Sequence, residues 1–185
     1  RRAQALMRLT AEQVSEGLPH LAKMVEDANH HRREKALAGL RYVAALYPSD
    51  GLLTPYIPQL IQRLRDASED VVLKALNALA AAPASAMGPY TSQLEQLFQE
   101  TFNPSKLRLC QAAIPVVVHT TNGVDLLLPI LTAPQNREWD DELGEYMCLQ
   151  SPALGAFESL QPLPTKVAEA MVSLVNDTAN ASNVL

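Results

Sequence analysis

Tyr56 to Pro83, YIPQLIQRLRDASEDVVLKALNALAAAP, decides the fold. Ile57, Leu60, Ile61 and Leu64 stand at i, i+3, i+4 and i+7, the spacing that gathers four apolar side chains on one helical face. Asp66-Ala67-Ser68-Glu69-Asp70 interrupts that face, and Val71, Val72, Ala75, Leu76 and Leu79 renew it. The stretch therefore reads as two amphipathic helices joined by a polar turn, with Ser68 or Asp66 placed to accept from the exposed first-turn amides. A lone hairpin has nothing to bury its two stripes against, so stacked neighbours are implied.

Outward from this stretch the same design recurs. On the N-terminal side, Thr10-Ala11-Glu12-Gln13 fits a capping box and opens a helix that runs to about Asp27, with Pro19 expected to kink it. Asn29-His30-His31 makes a turn, and Arg32 to Tyr47 carries a second stripe through Ala36, Leu37, Leu40, Val43 and Ala44. Thr54 is expected to cap the next helix, with Pro55 at its first position. On the C-terminal side a third hairpin begins near Pro89, turns at Phe102-Asn103-Pro104-Ser105 and runs from Leu107 to about Val118, distorted late by Pro115. The apolar run Val124 to Leu131 and a partner helix Glu138 to Leu149 make a fourth. A fifth lies at about 152–176, ahead of a tail that frays from about Asp177. The expected organisation is one domain over 1–185, with hairpins at about 11–47, 52–82, 89–119, 124–149 and 152–176.

Aligning the acidic residues that close the first helices, Asp27, Asp66 and Glu100, makes the repeat explicit. Nine residues before them stand Leu18, Ile57 and Thr91; six before, Leu21, Leu60 and Leu94; two before, Val25, Leu64 and Phe98. Eight residues after them stand Lys35, Lys74 and Arg108, and ten after, Leu37, Leu76 and Cys110. Unit spacings of this size belong to two-helix repeats.

Over about residues 11 to 150 these features resemble the HEAT-repeat family, arrays of helical hairpins stacked into a solenoid. The resemblance is carried by a proline within the first helix (Pro19, Pro58, Pro129), an acid at the turn (Asp27, Asp66, Glu100) and a basic residue in the second helix. It implies an all-α superhelix and a shape for binding, without an activity. Armadillo and tetratricopeptide arrays fit less well, since neither a third helix per unit nor their fixed aromatic pattern is present.

Composition agrees with packed helices. Hydrophobic residues make up 48% of the chain but aromatics only 5%, which favours helices over sheets of β-branched and aromatic side chains. Thirteen prolines suit many short helices with proline in first turns and connectors. The net charge of −5 is uneven: residues 1 to 74 hold 11 Lys+Arg against 9 Asp+Glu, and residues 75 to 185 hold 4 against 11. That acidic balance disfavours a general nucleic-acid or membrane-surface binder. No run approaches the roughly 20 apolar residues of a membrane span, and no signal segment opens the chain, so an intracellular setting, cytoplasmic or nuclear, is expected. Opening on Arg1 rather than Met, the chain reads as a piece of a larger protein with flanking repeats. Cys110 and Cys148 lie far apart among apolar residues and read as buried thiols.

Few residues point to chemistry. Asp27 with Lys35, Asp66 with Lys74 and Glu100 with Arg108 are expected to pair between neighbouring units and fix the stacking register, each exposed pair contributing only about 0–1 kcal/mol. His30 and His31 stand near Asp27. Adjacent histidines at a helix start point in different directions, so a polar turn or partner contact is expected there and no metal or cofactor. His20 and His119 read as packing or capping residues, and Asp140-Asp141-Glu142 with Glu145 as a solvated helix face. No arrangement for nucleophilic catalysis and no phosphate loop appears. The candidate partner-binding residues are therefore His30, His31, Arg32 and Arg33 at one turn, Lys106 and Arg108 at another, and Trp139, which reads either as a half-buried packing residue or as a contact anchor.

The reading that follows is a non-enzymatic protein-interaction module of a scaffold or assembly protein. A narrower one rests on resemblance to TOG domains, HEAT arrays that bind tubulin through their turns. Asn29-His30-His31-Arg32-Arg33-Glu34-Lys35-Ala36-Leu37 looks like the first basic turn of such a domain, although His30 or His31 stands where that family carries an aromatic. A helical-repeat enzyme that excises damaged DNA bases needs a basic concave face with aromatics, and a single Trp in an acidic chain argues against it.

Overall fold

The computed structural model describes the backbone of residues 11–48, 51–101, 107–132, 137–140, 145–148 and 150–182. It is helical, with helices packed on helices, and divides into two compact units, Arg1–Tyr90 and Thr91–Leu185.

The first unit is built from two helical hairpins. Helix α1 (Ala11–Val25) continues through Pro19 and buries Val14, Leu18, Ala22 and Val25, an apolar stripe of helical period. Helix α2 (His30–Leu46) buries Ala36, Leu37, Leu40, Val43 and Ala44 against it, the stripe anticipated from the sequence. In the second hairpin, Thr54 does not cap an α-helix. Thr54–Tyr56 forms a 3-10 turn, and α3 (Ile57–Arg63) follows with Pro58 in its first turn, where a missing N–H costs nothing. Helix α4 (Glu69–Ala80) buries Val71, Val72, Ala75, Leu76, Ala78 and Leu79. The two first helices touch, α1 with α3, and the two second helices touch, α2 with α4. Each stripe that one hairpin leaves uncovered is thereby closed by the next; a fully buried Leu or Ile contributes about 1.5–3 kcal/mol. A 3-10 segment, Ala84–Tyr90, tucks Met87 into the core and packs beside α3.

The second unit starts with another hairpin, α5 (Thr91–Thr101) against α6 (Leu107–Val117), closed over Leu94, Phe98, Ala113 and Ile114. Pro115 stands in the last turn of α6, which ends two residues later at Val117. Helix α7 (Gly123–Thr132) follows a tight turn. The structure then departs from expectation. Arg137–Asp140 (β1) and Glu145–Cys148 (β2) pair as antiparallel strands, with Trp139 opposite Tyr146, where a partner helix over Glu138 to Leu149 was expected. The physical reason lies in the segment itself: two short stretches carrying an aromatic each, separated by four residues that include Gly144, suit a hairpin better than a helix. Helix α8 (Gln150–Glu158) packs Ala153, Ala156 and Phe157 on α6 and α7, and α9 (Thr165–Ser182) packs on α7, with Val167 buried. Its backbone stays helical past Asp177, where fraying was anticipated.

Candidate functional site

The turn between α1 and α2 holds most of the candidate residues, and a small polar network fixes it. Asp27 Oδ1 accepts from the Asn29 amide at 2.8 Å, and Asn29 Oδ1 accepts from the His31 amide at 2.9 Å, which makes Asn29 the N-cap of α2. Asp27 Oδ2 accepts from Arg32 at 3.1 Å. The Asn29 amide, then Arg32, hold the Asp27 carboxyl below its ordinary pKa against slight desolvation.

Arg33 goes inward. Its Nη1 donates to the carbonyls of Asp27 (2.8 Å) and Ala28 (3.0 Å) at the end of α1, while Nη2 donates to Asp66 Oδ1 at 2.8 Å in the turn of the next hairpin. Asp66 Oδ1 also accepts from the Ser68 amide, and Arg63 lies 3.5 Å from Oδ2. The Asp66 side chain is 4% exposed and that of Arg33 13%. Burial pushes the Asp66 pKa up, but the Arg33 hydrogen bond, the Ser68 amide and the two arginine charges outweigh it and leave the carboxyl below its ordinary value.

This network corrects one expectation and decides between the two alternatives of another. Asp66 pairs across the hairpins with Arg33, not Lys74, because the guanidinium fork reaches carbonyls and carboxylate together, while Lys35 is exposed and Lys74 half-buried on α4. Ser68 sits at the N-cap of α4 without a side-chain capping bond; Asp66 closes that turn through the Ser68 amide instead.

The remaining candidates are placed as follows. His30, His31 and Arg32 project from the turn, the last two with side chains 68% and 65% exposed. Arg33 belongs to the packing between hairpins. Arg108 is exposed in the first turn of α6, Trp139 lies on β1, and Lys106 falls outside the described residues. His20 does not pack in the core: together with Lys23, Met24, Glu26, Asp27, Ala28 and Arg32 it lines an open cleft of about 900 Å³ beside α1. His119 is on the surface past α6, its imidazole pKa lowered by partial desolvation. Asp140 and Glu145 are register partners across the strands, not members of a helix face.

Glu34 is the residue that sequence reading passed over. It stands at i+4 from His30 and i+3 from His31, and a donor atom from each of the three comes within 4.8 Å of the others. The helical spacing carried that signal. Asp27, the acid first associated with the histidines, is taken by Arg32 and Asn29.

Compared with protein-family models, curated proteins and solved structures, the chain matches none. Among the described residues no helix is long and apolar enough to cross a membrane.

Proposed function

We propose that the chain is a non-enzymatic, HEAT-like interaction module of a larger scaffold or assembly protein, and that it engages a protein partner through the exposed α1–α2 turn. The observation that carries this reading is the division of labour at that turn. Asp27, Asn29 and Arg33 hydrogen-bond the backbone of the turn while His30, His31 and Arg32 face solvent. A turn ordered before binding gives up little conformational entropy on contact, which leaves more of the interaction energy as affinity. Like-with-like packing of α1 on α3 and of α2 on α4 supports the repeat architecture. Arg32, exposed while it donates to Asp27, and the imidazole N–H groups offer hydrogen-bond donors to an acidic partner surface.

The test is affinity capture with quantitative mass spectrometry, comparing the wild-type chain with an Arg32→Glu, His31→Glu variant that leaves Arg33 and Asp66 intact. Specific partners are expected to fall at least severalfold. An unchanged partner set would remove the turn as the interface. Co-sedimentation with purified tubulin, lost in the same variant, would select the TOG-like reading among HEAT-like ones.

A further inference from the structure

We propose that His30, His31 and Glu34 form a surface site for a divalent transition metal of the imidazole-preferring kind, zinc being the natural occupant, with water or a partner side chain filling the remaining positions. All three residues lie on the first turns of α2, which Asn29 caps. Side chains on a helix lean toward its N-terminus, so the Glu34 carboxylate reaches back to the two imidazoles one turn earlier. The imidazole rings stand with centroids 4.0 Å apart and tilted by 41°, and His31 Nδ1 lies 3.7 Å from Glu34 Oε1. With metal bonds of about 2.0–2.2 Å, tetrahedral donors sit roughly 3.3 Å from one another. The three donor atoms, within 4.8 Å of one another, reach that spacing by side-chain rotation alone, which exposed histidines allow.

The electrostatics of the turn decide whether a cation is tolerated. A helix N-terminus disfavours positive charge, and Arg32 and Arg33 follow directly. Both guanidinium charges are matched, however, by Asp27 at 3.1 Å and by Asp66 at 2.8 Å. Glu34 then supplies the negative charge for the site, and two neutral imidazoles with one carboxylate are a donor set that zinc, nickel and copper accept. Three protein ligands leave the ion open on its solvent side, which makes the site suited to bridging this turn to a second protein.

The experiment is calorimetric titration with Zn²⁺ of the whole chain in a Cys148→Ser background, so that this thiol does not compete. One ion per chain is expected. His30→Ala and His31→Ala should each weaken binding at least tenfold, Glu34→Gln severalfold, and His20→Ala not at all. The imidazole proton resonances of His30 and His31 should shift together during the titration while those of His20 and His119 stay in place, which reads the site in the unsubstituted residues even where a variant folds poorly. Absence of uptake, or uptake indifferent to both histidine substitutions with all four resonances moving alike, would overturn the proposal.

Discussion

The two compact units solve the same problem, the pinning of a turn between helices, by different means. In the first unit one arginine ties the end of α1 to the turn of the next hairpin: Arg33 holds two carbonyls and the Asp66 carboxylate. In the second, the turn between α6 and α7 is held to α5 by a carboxylate acting on backbone and amide: Glu95 accepts from the Asn122 amide at 2.7 Å and from its Nδ2 at 2.9 Å. Inside that turn Thr120 donates its hydroxyl to the Val117 carbonyl at 2.8 Å, and Gly123 passes so close to the same carbonyl that a Cβ would lie 1.9 Å from it. The first device spans 33 residues and relates two hairpins; the second spans 27 and serves one corner. Contacts of α1 with α3 and of α2 with α4 accompany the first.

The comparison is broken most severely at Asp66. Asp66→Ala leaves the Arg33 guanidinium buried without its carboxylate, and unfolding free energy should fall by about 3 kcal/mol, the lower end for a broken buried pair because two carbonyl contacts survive. Hydrogen exchange should rise in residues 11–80 and not in the second unit. The double variant Arg33→Met, Asp66→Leu should recover most of that loss. In the second unit, Gly123→Ala must push backbone apart and should cost about 2–3 kcal/mol, with faster exchange at α6 and α7. Glu95→Gln, which keeps shape but loses charge, should cost about 1 kcal/mol. Asn29→Ala, removing a cap already supported by its neighbours, should cost a similar or smaller amount, about 0.5–1 kcal/mol.

Acid sharpens the comparison further. At Glu95 burial raises the pKa, but the hydrogen bonds from the Asn122 amide and side chain outweigh it, so the folded pKa lies below the ordinary 4.5; that of Asp66 lies below 3.8. A depressed folded pKa means the unfolded chain binds the proton first, so each group's stabilisation is complete above those ordinary values and is lost as pH falls through the folded pKa. Denaturant unfolding between pH 7 and pH 2 should therefore show stability falling below about pH 4.5. Glu95→Gln should flatten the upper part of that fall, and the Arg33→Met, Asp66→Leu pair the lower part.

Most of the helical scaffold was legible because it rests on local spacing. Ile57, Leu60, Ile61 and Leu64, and then Val71, Val72, Ala75, Leu76 and Leu79, are buried as their period required. What escaped was non-local. Position-by-position alignment favoured Lys35 and Lys74 as register partners, yet Arg33, two residues away from the aligned position, has the planar fork that three acceptors need. The strand pair escaped for the opposite reason, since the acidic Asp140-Asp141-Glu142 run drew attention from the two aromatics, Trp139 and Tyr146, that stand opposite each other in the pair. At the candidate site the histidines and Arg32 were found by composition; Glu34 was hidden because the eye went to the acid that precedes the turn.

The reach of Arg33 also sets how finely this protein can be divided. A fragment carrying only α1 and α2 would keep the guanidinium and lose Asp66 together with the surface of α4 that covers α2, so its turn would be charged, uncovered and free to rearrange. The smallest portion of the first unit that keeps its own turn chemistry extends through Ala80. Grafting the α1–α2 turn into another scaffold as a binding loop would therefore mean transplanting a pair of hairpins.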